Sequence, residues 1–191
     1  ETEAAIKKIR SLTDKPFGAG ATLLMPGAKE NAEVLIDMQV PVINVSLGKP
    51  DDIVKRVHNY KGKVIQTVIG EKHALSAVKG GVDALQVTGY EAAAHGGKVA
   101  NLCLIPAIRE KVDVPIVASG GFATGRVLLL LSHLVQMLLQ WVQGLPQQKR
   151  ALFMKGLSRL TLRPELKIHF IQTGLTVSGV VYLNRNPLKN Q

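Results

Sequence analysis

Residues 63–89 read KVIQTVIGEKHALSAVKGGVDALQVTG. Two short apolar runs, KVIQTVIG (63–70) and DALQVTG (83–89), flank EKHALSAVKGG, a stretch of helical length that closes on Gly80 and Gly81. A strand, a helix and a second strand over so short a span form one βαβ unit, whose crossover makes the two strands parallel. The same alternation continues on both sides. PFGAGATLL (16–24) and VPVINVSLG (40–48) precede this stretch and VPIVASGG (114–121) follows it, with AKENAEVLIDMQ, PDDIVKRVHNYKG and NLCLIPAIREKVD between the runs. The intervening segments carry apolar stripes at helical spacing, such as Ile53, Val54 and Val57, and Leu104, Ile105 and Ile108. Asp51 and Asp52 after Pro50 place acids in a first helical turn, and Gly62 marks an end. Strands nearly continuous in Val, Ile and Leu are expected to be covered on both faces. Lys15 to Gly121 therefore predicts five consecutive β/α units of an α/β fold. A closed eight-unit barrel takes about 250 residues, and this chain has 191.

From Val127 the pattern changes. VLLLLSHLVQMLLQWV (127–142) is apolar without a clean period, and it leads into a Leu-, Gln- and Arg-rich stretch. Ser132, His133, Gln136 and Gln140 interrupt it, and its length falls short of the roughly 20 apolar residues of a membrane span. It predicts a short amphipathic or buried helix and no membrane segment. The domain division expected is 1–126 for the partial barrel and 127–191 for an irregular or helical tail. Of the formal charge of +10, most lies in the tail, where 8 Lys and Arg face the single Glu165. Aromatic residues make up only 4% of the chain, and no nucleic-acid-binding signature accompanies the basic residues, so nucleic acid is not expected as a partner. Cys103 is the only cysteine, which excludes an internal disulfide framework and fits a reducing, cytoplasmic setting. The opening ETEAAIKKIR is helical in pattern and has no apolar signal core.

In parallel β/α folds, reactive groups sit on the loops after the strands. The loop after DALQVTG reads GYEAAAHGGKV, and His95 is its one group that titrates near neutral pH. Small neighbours leave space over it, so it could move a proton or hold an anion. The alternative is a surface histidine without a role. His58, His73, His133 and His169 fall on helical patterns or in the tail and are read as structural. After VPIVAS, Gly120 and Gly121 follow Ser119 and would let backbone N–H groups approach a phosphate oxygen. An ordinary turn has the same composition. Gln66, inside KVIQTVIG, would meet a cofactor ring or ribityl chain if it points to the mouth, and otherwise is a polar residue buried in the strand layer. No spacing calls for a metal.

KPFGAGATLLMP, VPVINVSLG, KVIQTVIGEKHALSAVKGGVDALQVTG, YEAAAHGG and VPIVASGGFATGR resemble, in this order, the nitronate monooxygenase family, which includes FMN-dependent enoyl-ACP reductases. The resemblance covers roughly residues 4–126. It implies a TIM barrel with FMN, His95 as the catalytic histidine of a Glu-Ala-Gly-Gly-His motif, and Ser119, Gly120 and Gly121 on the FMN phosphate. Ala93 and Ala94 stand where the family commonly has Gly-Gly, and Gly20 and Ala21 stand near a common asparagine. The implied reaction is oxidation of an alkyl nitronate by O₂ to a carbonyl compound and nitrite. The implied partners are a nitronate or nitroalkane and O₂. An enoyl-ACP reductase-like activity and a catalytically inactive truncated fragment are the alternatives.

Two early β/α units of the family pattern are expected before Glu1, and its eighth strand is missing after Arg126. The genetic code bears on the second point. When the codons for LVQMLLQWVQGL (134–145) are read two bases on, Trp141-Val142 must give Gly, and Met137 before a CTN leucine gives Ala. Permitted codons elsewhere complete Gly-Ala-Asp-Ala-Ile-Ala-Met-Gly-Ser-Arg-Phe, the family's eighth strand. The tail is therefore expected to be out of frame from about Val127 and to supply no strand beside VPIVASGG.

Overall fold

The computed structural model describes residues 1–92 and 95–122 in full, and the backbone of three strands at 138–142, 168–170 and 178–181. Ala93, Ala94, Arg126 and Val127 lie outside the described residues. The chain divides into two compact units, Glu1–Gln86 with Lys111–Val114, and Val87–Glu110 with Pro115–Gln191.

In the first unit the order is α1 (Thr2–Leu12), β1 (Gly18–Thr22), α2 (Ala28–Asp37), β2 (Val42–Ser46), α3 (Asp51–Asn59), β3 (Lys63–Val68), α4 (Glu71–Lys79) and the start of β4 (Ala84–Thr88). Each expected strand is present, and the strands lie side by side in chain order. β1 pairs with β2 in parallel, Gly18 opposite Val42, and β2 with β3 in parallel, Val42 opposite Lys63. Strand alternation then sorts the side chains. Ile43, Val45, Val64 and Leu85 are fully buried, together with Leu35 and Val57 from the helices. Burying each such side chain stabilises the unit by about 1.5–3 kcal/mol.

The opposite face departs from the expected two-sided burial. Thr22, Asn44, Ser46, Thr67 and Gln86 lie on it and are only half-buried. They bond to one another. Asn44 Nδ2 donates to Gln86 Oε1 at 2.7 Å, Thr67 Oγ1 to Asn44 Oδ1 at 3.2 Å, and Ser46 Oγ to Thr22 Oγ1 at 3.1 Å. Barrel interiors are ordinarily filled by bulky branched residues; here amides and hydroxyls satisfy one another on that face.

Asp83 ties the start of β4 to β3. Its N–H donates to the Val64 carbonyl at 2.9 Å, and its carboxylate accepts the Val64 N–H at 2.8 Å. Lys63 Nζ at 2.7 Å and His58 Nε2 at 2.8 Å complete the cluster. Burial pushes the Asp83 carboxyl up, but hydrogen bonds from Lys63, the Val64 N–H and His58 outweigh it and hold the group below the usual carboxylate range. His58 is thereby occupied structurally, as its helical position predicted.

The second unit holds the end of β4, α5 (Asn101–Arg109), β5 (Ile116–Ser119), β6 (Leu138–Val142), β7 (Ile168–Phe170) and β8 (Ser178–Val181). Its core includes Val87, Ile105, Ile108, Ile116 and Val117. From β5 outward the strands are ordered β5-β6-β8-β7. Two expectations are corrected here. Residues 138–142 form a strand where a short helix was expected, and that strand runs parallel to β5, with Val117 opposite Leu138 and Ser119 opposite Gln140. LLQWV is a short run with the bulky apolar composition that suits a strand, and the outer edge of β5 offers it a row of backbone donors and acceptors. β8 pairs antiparallel with both β6 and β7, so the described strands of the tail form a mixed edge.

Candidate functional site

β4 ends at Thr88, and the loop that follows is fastened back on its own start. The Tyr90 N–H donates to the Val99 carbonyl at 2.9 Å, and the Gly97 N–H to the Gly89 carbonyl at 3.2 Å. His95 lies between these ties and is exposed. Gly89 sits where a side chain has no room, since an added Cβ would be 2.3 Å from the Val99 carbonyl oxygen.

β5 ends at Ser119, which is 6% exposed, and the chain then turns through Gly120 at φ +94° and Gly121 at φ +77°. Successive left-handed residues are nearly the preserve of glycine. A Cβ on Gly120 would meet the Glu91 carbonyl oxygen at 2.7 Å, and one on Gly121 would meet Glu91 Cγ at 3.1 Å. Glu91 belongs to the loop after β4, so this contact brings the His95 loop and the Ser119–Gly121 turn together at one end of the unit.

Asn101 joins them further. It is 1% exposed, accepts the Gly89 N–H at 2.7 Å, and donates to the carbonyls of Ser119 at 2.7 Å and Gly120 at 2.9 Å. Its own N–H donates to Glu91 Oε2 at 2.9 Å. Sequence reasoning missed both Asn101 and Glu91. A signal was present: a polar residue opens an otherwise apolar helix, NLCLIPAIR, twelve positions after a strand-ending glycine.

Gln66 belongs to the first unit and matches the second of its two alternatives. It shares a strand face with Val64 and Val68, 0% and 1% exposed, and is itself 9% exposed. Its Nε2 donates to the Gly48 carbonyl at 2.9 Å, which holds the loop after β2. Its Oε1 is buried and has no partner among the described residues. Strand parity places Gln66 on the same face as the buried Val64 and Val68.

Parallel strands alternating with helices, with an exposed histidine and a glycine turn on successive strand-end loops, define an α/β fold of the TIM-barrel type. The chain belongs to the nitronate monooxygenase family, whose profile matches residues 27–129, as the resemblance implied. It is 36% identical over 126 residues to (3aS,4S,5R,7aS)-5-hydroxy-7a-methyl-1-oxo-octahydro-1H-indene-4-carboxyl-CoA dehydrogenase of Rhodococcus jostii, covering 66% of this chain and 36% of that one. It is 32% identical over 112 residues to a probable nitronate monooxygenase of Staphylococcus aureus, covering 53% of this chain and 32% of that one. The chain thus spans about a third of the length of the curated relatives it matches. FabK from Thermotoga maritima superposes with a TM-score of 0.65 at 32% identity, over 69% of this chain and 42% of that one. A nitroalkane oxidase from Streptomyces ansochromogenes shares the fold, with a TM-score of 0.64 at 23% identity over 70% of this chain and 51% of that one.

Proposed function

We propose that this chain belongs to a flavin-dependent oxidoreductase that oxidises an alkyl nitronate with O₂ to a carbonyl compound and nitrite, with FMN as its cofactor. The observation that carries this assignment is the joining of the His95 loop to the Ser119–Gly121 turn through Glu91 and Asn101. The turn fits a phosphate group. Two consecutive glycines at positive φ follow the buried Ser119, and Glu91 packs on the side where a Cβ would stand. FMN, when bound, would accept the electrons that leave the nitronate. Ser119, Gly120 and Gly121 would hold its phosphate, and Gln66 would act only by fixing the loop at Gly48. His95 would hold the anionic substrate through its imidazole or take a proton from the neutral nitro compound. An exposed ring on a fastened loop supports this role, because the loop bears the ordering cost and leaves the imidazole accessible.

A second assignment has its own support. The Rhodococcus relative acts, by its name, on a carboxyl-CoA compound, and so does a Mycobacterium tuberculosis relative of the same name at 33% identity. An acyl or enoyl thioester is therefore the alternative substrate. The deciding assay supplies FMN to a protein of the relatives' full length carrying this sequence. It measures turnover of an alkyl nitronate with O₂ against an enoyl thioester with a nicotinamide donor. Nitronate turnover that falls at least a hundredfold in His95→Ala, about 2.7 kcal/mol of transition-state stabilisation, is the expected result. Turnover of the thioester alone would transfer the assignment to the second reaction.

A further inference from the structure

Asn101 is the first residue of α5, next to the capping residue Ala100, and a polar side chain at a helix start ordinarily bonds nearby backbone or faces water. It does neither. The α5 cap makes no side-chain bond, and the Asn101 amide is turned away from the helix to three backbone groups in two other segments. Its own N–H, one of the four left without a helical partner at a helix start, goes to Glu91. We propose that Asn101, held by Glu91, is the positioning residue that sets His95 relative to the Ser119–Gly121 turn while touching neither substrate nor cofactor. This rests on the site assignment made above.

The chemistry of the amide is specific. One acceptor faces an N–H and one two-proton donor faces two carbonyls, a set that only an asparagine or glutamine supplies. Aspartate would aim a carboxylate oxygen at both carbonyls, and glutamine would carry one methylene too many into a site that is 1% exposed. The surroundings are equally tight. A Cβ on Gly89 would lie 3.0 Å from Asn101 Oδ1, and one on Gly120 would lie 3.2 Å from Nδ2. Residues 89, 101 and 120 therefore constrain one another, and a change at Asn101 loosens both loops together.

Hydrogen exchange on the 191-residue chain tests this without requiring turnover. Asn101→Asp keeps the acceptor for Gly89 and loses both donated bonds. Exchange is expected to rise about tenfold or more in both 89–97 and 119–121, while Leu104–Arg109 keeps its protection. If Asn101→Asp does not fold, Glu91→Ala carries the test, because Glu91 is exposed and its loss leaves the amide in place. Both segments should then exchange about threefold faster, and Glu91→Gln, which keeps the acceptor, should restore them. Acceleration in one segment only, in neither, or along α5 alone would overturn the positioning role. FMN titration of a protein of the relatives' full length carrying this sequence, followed by flavin fluorescence, separates the two questions. Coupled loosening in the 191-residue chain, with no FMN bound by the full-length protein, would sustain the role of Asn101 and defeat the flavin assignment.

Discussion

Substituting alanine at three glycines separates backbone strain from steric overlap at the site. Gly70 caps α4 at φ −178°, with nothing within 4 Å of an added Cβ, so Gly70→Ala loses only a modest capping preference, about 0.5 kcal/mol. Gly27 caps α2 at φ +74°, also in open space, and Gly27→Ala adds left-handed strain, for a total of about 1–1.5 kcal/mol after the gain from a stiffer unfolded chain. Gly120 has the strain, at φ +94°, and a Cβ there would also sit 2.7 Å from the Glu91 carbonyl oxygen. That oxygen is backbone, in a loop fastened at Gly89 and Asn101, and moving it resembles overpacking, which costs about 1–3 kcal/mol. Gly120→Ala should therefore cost about 2–4 kcal/mol. Urea denaturation at unchanged m-value reads all three. A Gly120→Ala midpoint no lower than that of Gly27→Ala would refute the close approach of the two loops.

Asp83, whose carboxyl is held below its ordinary range, predicts an acid-labile contribution. Below about pH 3.9 the unfolded chain takes up its proton before the folded one, so stability present above that pH is lost as pH falls through the folded value. Asp83→Asn, uncharged throughout, should flatten this limb and cost on the order of 1 kcal/mol at neutral pH, since the Lys63 and His58 partners are largely exposed. A urea midpoint with the same acid limit as the parent would sink this account. Ending the chain after Arg126 removes β6, and amides of Val117–Ser119 should then exchange about tenfold faster while β1–β3 stay protected. No change there would show that β6 does not pair in solution, and resequencing across the codons for Arg126 and Val127 would then decide the reading frame.

The five strands were legible because each is a short apolar run between helical periods, and local pattern suffices to find such runs. Sidedness was harder. VINVS alternates Ile43 and Val45 with Asn44 and Ser46, but the neighbouring strands look continuous, and the alternation gains meaning only once Asn44 meets Thr67 and Gln86 across the sheet. Gln66 illustrates the same limit, since moving a strand by one position exchanges its faces and only pairing fixes the register. His95 and the Ser119–Gly121 turn could be singled out because their residue types are unusual for a loop. Asn101 was signalled only as a polar residue opening an apolar helix, and Glu91 not at all, because their partners are backbone atoms of other segments, which leave no trace in composition. β6 was missed for another reason: its residues suit either a buried helix or a strand, and the open edge of β5 decides between them.

The features that were hard to read also bear on specificity. Tyr90 tied to Val99, Gly97 tied to Gly89 and Glu91 tied to Asn101 fasten the loop after β4 near both ends. On the proposed assignment, a histidine and a glycine turn on adjoining loops would suit nitronate and thioester chemistry alike, because each needs a proton or anion handled near a phosphate-bearing cofactor. Discrimination must therefore come from side chains that the fastened frame leaves free. Among the described residues of this loop and the first turn of α5, the exposed large ones include Tyr90 at 74%, Val99 at 47% and Leu102 at 48%, beside the exposed Lys98. Apolar groups sort substrates by size and surface, at roughly 1–3 kcal/mol per methylene placed or misplaced. Exchanging Tyr90, Val99 or Leu102 should therefore shift preference among substrates of different bulk, whereas exchanging Asn101 should weaken every substrate alike.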